Sequence, residues 1–101
     1  MSILIYSKND CNYCEKAKKL LNDLKSQYNI TYSEISLNKS IDPMYYDTTV
    51  SMLKAKYNHN TFPFIIINDN FIGGYTDLEK IYSTGYLFKL LSINDETFVD
   101  F

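Results

Sequence analysis

Cys11-Asn12-Tyr13-Cys14 stands where an apolar run, Ile3-Leu4-Ile5-Tyr6, gives way to a long amphipathic stretch. In that stretch Ala17, Leu20, Leu21, Leu24 and Tyr28 recur at helical spacing, with Glu15, Lys16, Lys18, Lys19, Asp23 and Lys25 off the apolar stripe. The pattern predicts a strand running straight into a helix over 11–28, with both cysteines in its first turn. This junction constrains the fold more than any other feature. A buried strand followed by a crossover helix needs a parallel neighbour, and the right-handed crossover rule limits where that neighbour lies.

The rest of the chain supplies it. Asn29 fits a left-handed helix cap, and Thr31 to Ile35 reads as a second strand. Asp42-Pro43 opens a second helix, Asp as N-cap and Pro in the first turn, with Tyr46, Val50, Leu53 and Tyr57 as its apolar stripe. Phe64 to Ile67 is a β-branched strand, Asn68-Asp69-Asn70 a tight turn, and Phe71-Ile72 its antiparallel return. Gly73-Gly74 breaks that strand. Thr76 or Asp77 then caps a last helical stretch through Tyr82, resumed after Thr84-Gly85 from Leu87 to Leu91. The order β-α-β-α-β-β-α predicts an α/β fold of the thioredoxin-like kind, a mixed four-stranded sheet with helices on both faces. Residues 1–92 form this domain, and 93–101 an acidic, aromatic tail.

Several function classes are disfavoured at this level. The longest apolar run, Phe62 to Ile67, is too short to cross a bilayer. The opening residues lack the positive segment and cleavage site of an export signal, so the expected setting is the reducing cytoplasm. Two cysteines there point to catalysis or metal binding rather than a structural staple. A formal charge of −2 and a pI near 5.2 argue against nucleic acid as partner.

A cysteine at a helix start meets unpaired backbone N–H groups and the positive end of the helix dipole, both favouring thiolate over thiol. Lys8, on the entering loop, adds positive charge. Cys11 is therefore the expected nucleophile, and Cys14, nearly one turn further in, the resolving thiol that closes a disulfide and displaces product. A zinc site is the competing reading, but zinc wants more ligands than the pair and His59 supply. His59 itself is expected to face solvent without a role.

Three blocks carry a resemblance to the glutaredoxin family, from Ile3 to about Leu91. Lys8-Asn9-Asp10-Cys11-Asn12-Tyr13-Cys14 is similar to the family's K-x-x-C-P-Y-C, Thr61-Phe62-Pro63 to its T-V-P, and Gly73-Gly74-Tyr75-Thr76-Asp77-Leu78 to its G-G-Y-x-D-L. The resemblance implies a dithiol, glutathione-dependent oxidoreductase acting on glutathionylated and disulfide-containing proteins, expected as a monomer. It implies a cis-proline at Pro63 and a backbone partner for the cysteinyl part of glutathione at Phe62, beside Thr61. It also implies a γ-glutamyl site at Gly74, Thr76 and Asp77, with Lys8 and Tyr13 flanking the tripeptide.

Two positions depart from the family pattern. Val50 stands where the family often has a cationic or amide side chain for the glycine carboxylate, and Lys54, one turn later, is the expected substitute. Asn12 replaces the usual proline, a change that in the family sometimes accompanies a [2Fe–2S] cluster bridged by Cys11 of two subunits and two glutathiones. Thioredoxin, an iron–sulfur carrier and an inactive interaction module are the rival readings. Thioredoxin is disfavoured because Asp10 stands where it has a Trp. The tail's Phe98-Val99-Asp100-Phe101 resembles peptides by which ribonucleotide reductase small subunits dock, which makes that enzyme a candidate partner.

Overall fold

The computed structural model describes residues 2–91. The expected tail at 93–101, its docking reading and the domain limit at 92 lie outside these residues. The elements run β1 (Ile3–Lys8), α1 (Asn12–Tyr28), β2 (Ser33–Leu37), α2 (Pro43–Tyr57), β3 (Phe64–Ile67), β4 (Asn70–Gly73), α3 (Tyr75–Ser83) and α4 (Tyr86–Leu90). Among the described residues no helix is long and apolar enough to cross a membrane.

The sheet has the order β2-β1-β3-β4, with β1 parallel to β2, antiparallel to β3, and β3 antiparallel to β4. The thioredoxin-like expectation therefore holds. Ile3, Ile5, Ile65 and Ile67 share one face and pack with Ala17, Leu21 and Leu24 of α1, Leu78 of α3 and Leu87 of α4. Phe64 and Ile66, one residue out of phase, are buried on the opposite side. Each fully buried side chain of this size contributes roughly 1.5–3 kcal/mol, so the doubly covered β3 is the anchor of the fold.

Local signals set most helix ends as expected. Asn29 takes the left-handed cap conformation, with φ 57° and ψ 36°. The Asp42 carboxylate accepts the Tyr45 N–H at 3.1 Å, with Pro43 in the first turn of α2. The last helical stretch divides at Gly85, whose φ of +83° is left-handed.

Three elements differ from expectation. Strand β2 lies two residues further on than 31–35, because pairing with β1 runs from Leu4↔Ser33 to Lys8↔Leu37. On α2, Thr49 and Leu53 are buried, whereas Tyr46, Val50 and Tyr57 are half-buried. Helix α3 is capped by Gly74 rather than Thr76 or Asp77; Asp77 instead reaches back, its Oδ2 accepting the Gly74 N–H at 3.0 Å.

That contact restricts Gly73. Its φ is +129°, and a Cβ there would overlap the Asp77 carboxylate. Gly73→Ala is expected to destabilise the protein by about 1–3 kcal/mol, read from chemical denaturation. Gly74→Ala, whose Cβ would meet its neighbours at ordinary contact distance, is expected to cost less.

Candidate active site

The positive-φ turn at Asp10 (φ 55°) delivers the chain from β1 into α1. Cys11 is the N-cap of α1 in extended conformation, and its Sγ accepts the Cys14 N–H at 3.2 Å. The orphan donor that a Ser or Asp cap would satisfy here faces sulfur, an arrangement that favours a thiolate. Cys11 and Cys14 form a disulfide, their Cα atoms 5.2 Å apart. The two sulfurs are not equivalent. Cys14 is fully buried, whereas Cys11 is half-buried and reachable from outside.

Beneath the junction, Ser7 is buried and donates its hydroxyl to Glu34 of β2. Lys18 of α1 pairs with Glu34 at 3.1 Å and with Glu15 at 3.0 Å. Burial pushes the Glu34 carboxyl up, but the Ser7 hydroxyl and Lys18 outweigh it and hold the group below its ordinary value. The Lys18 ammonium moves the other way, held up chiefly by its hydrogen bond to Glu15. This link ties α1 to the parallel strand pair near the cysteine end.

The loop ahead of β3 comes from the far half of the chain. Its Phe62-Pro63 peptide bond is cis, as the resemblance implies, and Pro63 is buried. Phe62 rests edge-on against Phe64 at 5.0 Å between centroids, and the Lys8 ammonium lies over its ring at 5.5 Å. Tyr13, 54% exposed, stacks on Tyr75 with centroids 6.2 Å apart. Tyr75 is held by donating its hydroxyl to Glu79 at 3.1 Å, a bond that also raises the phenol above its ordinary value.

These pieces enclose a groove in two halves that share Tyr13, Thr61 and Phe62. One half, about 190 Å³, runs to the N-terminus of α3, where Gly74, Thr76 and Asp77 line it. The other, about 400 Å³, passes Cys11 and Lys8 and ends against Tyr46, Val50 and Lys54 of α2. Lys8, Tyr13, Thr61, Phe62, Gly74, Thr76, Asp77 and Lys54 are thus brought to one groove with Cys11. Pro63 is buried and is not among the residues that line it.

One residue departs from expectation. His59 does not simply face solvent: it is half-buried and lines the α3 half of the groove. Its ring lies edge-on to Phe64 and Phe71, at 5.0 and 5.2 Å between centroids. The signal in the sequence is its position two residues before Thr61, at the start of the loop that the Thr-x-Pro block completes.

The chain matches the family model described as Glutaredoxin over residues 3–72. It is 41% identical over 93 residues to Glutaredoxin 1 of Rickettsia bellii, covering 89% of this chain and 86% of that protein. It is 33% identical to the mitochondrial Glutaredoxin-2 of Homo sapiens over 88% of this chain, spanning about half (50%) of that relative. The crystal structure of a buckwheat glutaredoxin–glutathione complex superposes with a TM-score of 0.76 at 26% identity, over 89% of this chain and 76% of that one. Sequence match, sheet order and a disulfide-forming Cys-x-x-Cys at a strand–helix junction converge: the chain belongs to the glutaredoxin family, as a thiol–disulfide oxidoreductase of the dithiol type.

Proposed function

We propose that this protein reduces protein–glutathione mixed disulfides, and protein disulfides, at the expense of glutathione. The observation that carries the reading is a groove continuous past Cys11, with a cap-like α3 terminus at one end and Lys54 at the other. Glutathione lies along it as an extended tripeptide. Its γ-glutamyl carboxylate meets the N–H groups at the start of α3, near Thr76 and Asp77. Its ammonium meets the Asp77 carboxylate, which keeps acceptor capacity beyond the Gly74 N–H. The cysteinyl part pairs with the Phe62 backbone beside Thr61, like an added strand. The glycine carboxylate falls between Lys8 and Lys54. A similar structure, that of a buckwheat glutaredoxin, was solved as a complex with glutathione, which supports glutathione as the ligand.

The reaction follows from the unequal sulfurs. The Cys11 thiolate attacks the glutathione sulfur of the mixed disulfide; the target protein leaves as thiolate and takes up a proton. Glutathione stays on Cys11. A second glutathione thiolate attacks the bound glutathione sulfur, releasing glutathione disulfide and the Cys11 thiolate. With a protein disulfide, Cys11 instead forms a mixed disulfide with the target. The Cys14 thiolate then attacks Cys11 Sγ, giving the internal disulfide and the reduced target; two glutathiones reduce that disulfide in turn and leave as glutathione disulfide.

Glutathione-coupled reduction of a glutathionylated peptide tests this, and steady turnover is expected. No turnover, with turnover coupled instead to thioredoxin reductase, overturns it. Lys54→Ala is expected to raise the KM for glutathionylated peptide by about two- to fivefold at low salt, the scale of an exposed ion pair, with kcat kept. An unchanged KM removes Lys54 from the site. Asn12, exposed at the first position of α1, favours one second reading. In it two reduced copies share a [2Fe–2S] cluster through Cys11 and glutathione, checked by colour and dimerisation after anaerobic reconstitution.

A further inference from the structure

The redox chemistry leaves His59 unused, although its imidazole stands inside the groove. Its Nε2 is 3.3 Å from Thr61 Oγ1, one wall of the groove. The same atom lies 3.7 Å from where a Cβ on Gly74 would stand, so the ring also backs the loop that opens α3. Phe64 of β3 and Phe71 of β4 hold the ring edge-on from the sheet side, and Tyr57 stacks on Phe71 at 4.5 Å between centroids. The imidazole is thus clamped by apolar neighbours, with its polar edge toward the α3 half of the groove.

We propose that His59 is a positioning residue of this groove: its imidazole orients the Thr61 hydroxyl and supports the Gly74 turn, and so sets how the groove holds the γ-glutamyl end of a glutathionyl ligand. The inference rests on the glutathione reading above and deepens it. The surroundings suit it. β3 and β4 present the Phe64 and Phe71 rings to the imidazole, and the cis-Pro loop presents a hydroxyl. Tyr13, Tyr75 and Asp77 are the titratable groups that share this half of the groove, while Lys8 and Lys54 line the other. Asp77 serves the ligand's ammonium, and His59 holds the Thr61 side of the same end in place.

The experiment is an NMR titration with glutathione disulfide, at pH 7.0, of the protein carrying Cys11→Ser and Cys14→Ser, so that no thiol chemistry intervenes. The same titration follows with His59→Gln or His59→Asn added. His59→Gln, whose amide nitrogen reaches the Nε2 position, is expected to bind within about twofold of the parent. His59→Asn, too short to reach Thr61, is expected to bind about three- to tenfold more weakly, the scale of one lost hydrogen bond. Parent-like binding in His59→Asn, or equal weakening in His59→Gln and His59→Asn, overturns the proposal. Absence of glutathione-coupled turnover in the wild type is a different result: it removes the parent reading, whatever the titration shows.

Discussion

Cys11→Ser is expected to abolish glutathione-coupled reduction of a glutathionylated peptide, by about a thousandfold or more, the scale for loss of a covalent nucleophile. Cys14→Ser is expected to keep that activity within a few-fold and to lose reduction of protein disulfides. The asymmetry follows from position. Cys11 is the N-cap of α1, half-buried, with its sulfur facing the Cys14 N–H at 3.2 Å and the positive end of the helix dipole. A hydroxyl in its place keeps the cap but supplies no nucleophile at neutral pH, so the fold persists while the chemistry stops. Cys14 is fully buried one turn in and reaches only Cys11. Its loss removes intramolecular resolution and leaves the route in which a second glutathione attacks the bound one. Both variants are assayed on the peptide and on a protein disulfide. Equal loss on the peptide substrate would show that Cys14 is needed for more than resolution and would overturn the division of labour.

Asp77→Ala is expected to have the second-largest effect, raising the KM for glutathionylated peptide by about ten- to a hundredfold. That is the scale of a lost charge-assisted hydrogen bond, roughly 1.5–3 kcal/mol. The same carboxylate accepts the Gly74 N–H at 3.0 Å, so the variant also loses an α3 capping interaction, at about 1 kcal/mol of stability. Asp77→Asn separates the two roles: its amide oxygen retains the Gly74 bond and its charge is gone. Binding is expected to suffer in both variants, and melting temperature chiefly in Asp77→Ala. Alkylation of Cys11 by iodoacetamide is expected to proceed at the wild-type rate in both, since neither substitution touches the start of α1. A normal KM in Asp77→Asn would confine Asp77 to the capping role.

Much of this protein was legible before folding, wherever the decisive interaction spans only a few residues. The left-handed cap at Asn29, the Asp42 cap with Pro43, the Phe64–Ile67 strand and the division at Gly85 depend on local backbone preference and local hydrogen bonds. The Cys11-x-x-Cys14 pair at a strand–helix junction belongs to the same class, since three residues and a helix start suffice to bring two sulfurs together. The order of these elements then left one economical sheet, because every apolar stripe had to be covered and the crossover rule is one-handed.

Only the tertiary structure decided what depended on partners distant in sequence. The limits of β2 follow its register against β1, so Leu37 is buried within the strand and Thr31 lies outside it. Helix α3 begins at Gly74 because Asp77 closes back onto that N–H, where two plausible side-chain caps had been open. The three blocks at 11–14, 61–63 and 73–77 meet in one groove because antiparallel β3 brings the cis-Pro loop beside the cysteine end of β1. His59 was invisible as a site residue for the same reason. A lone imidazole acquires a role only when Phe64 and Phe71 clamp its ring and Gly74 draws close, contacts that local propensity does not encode.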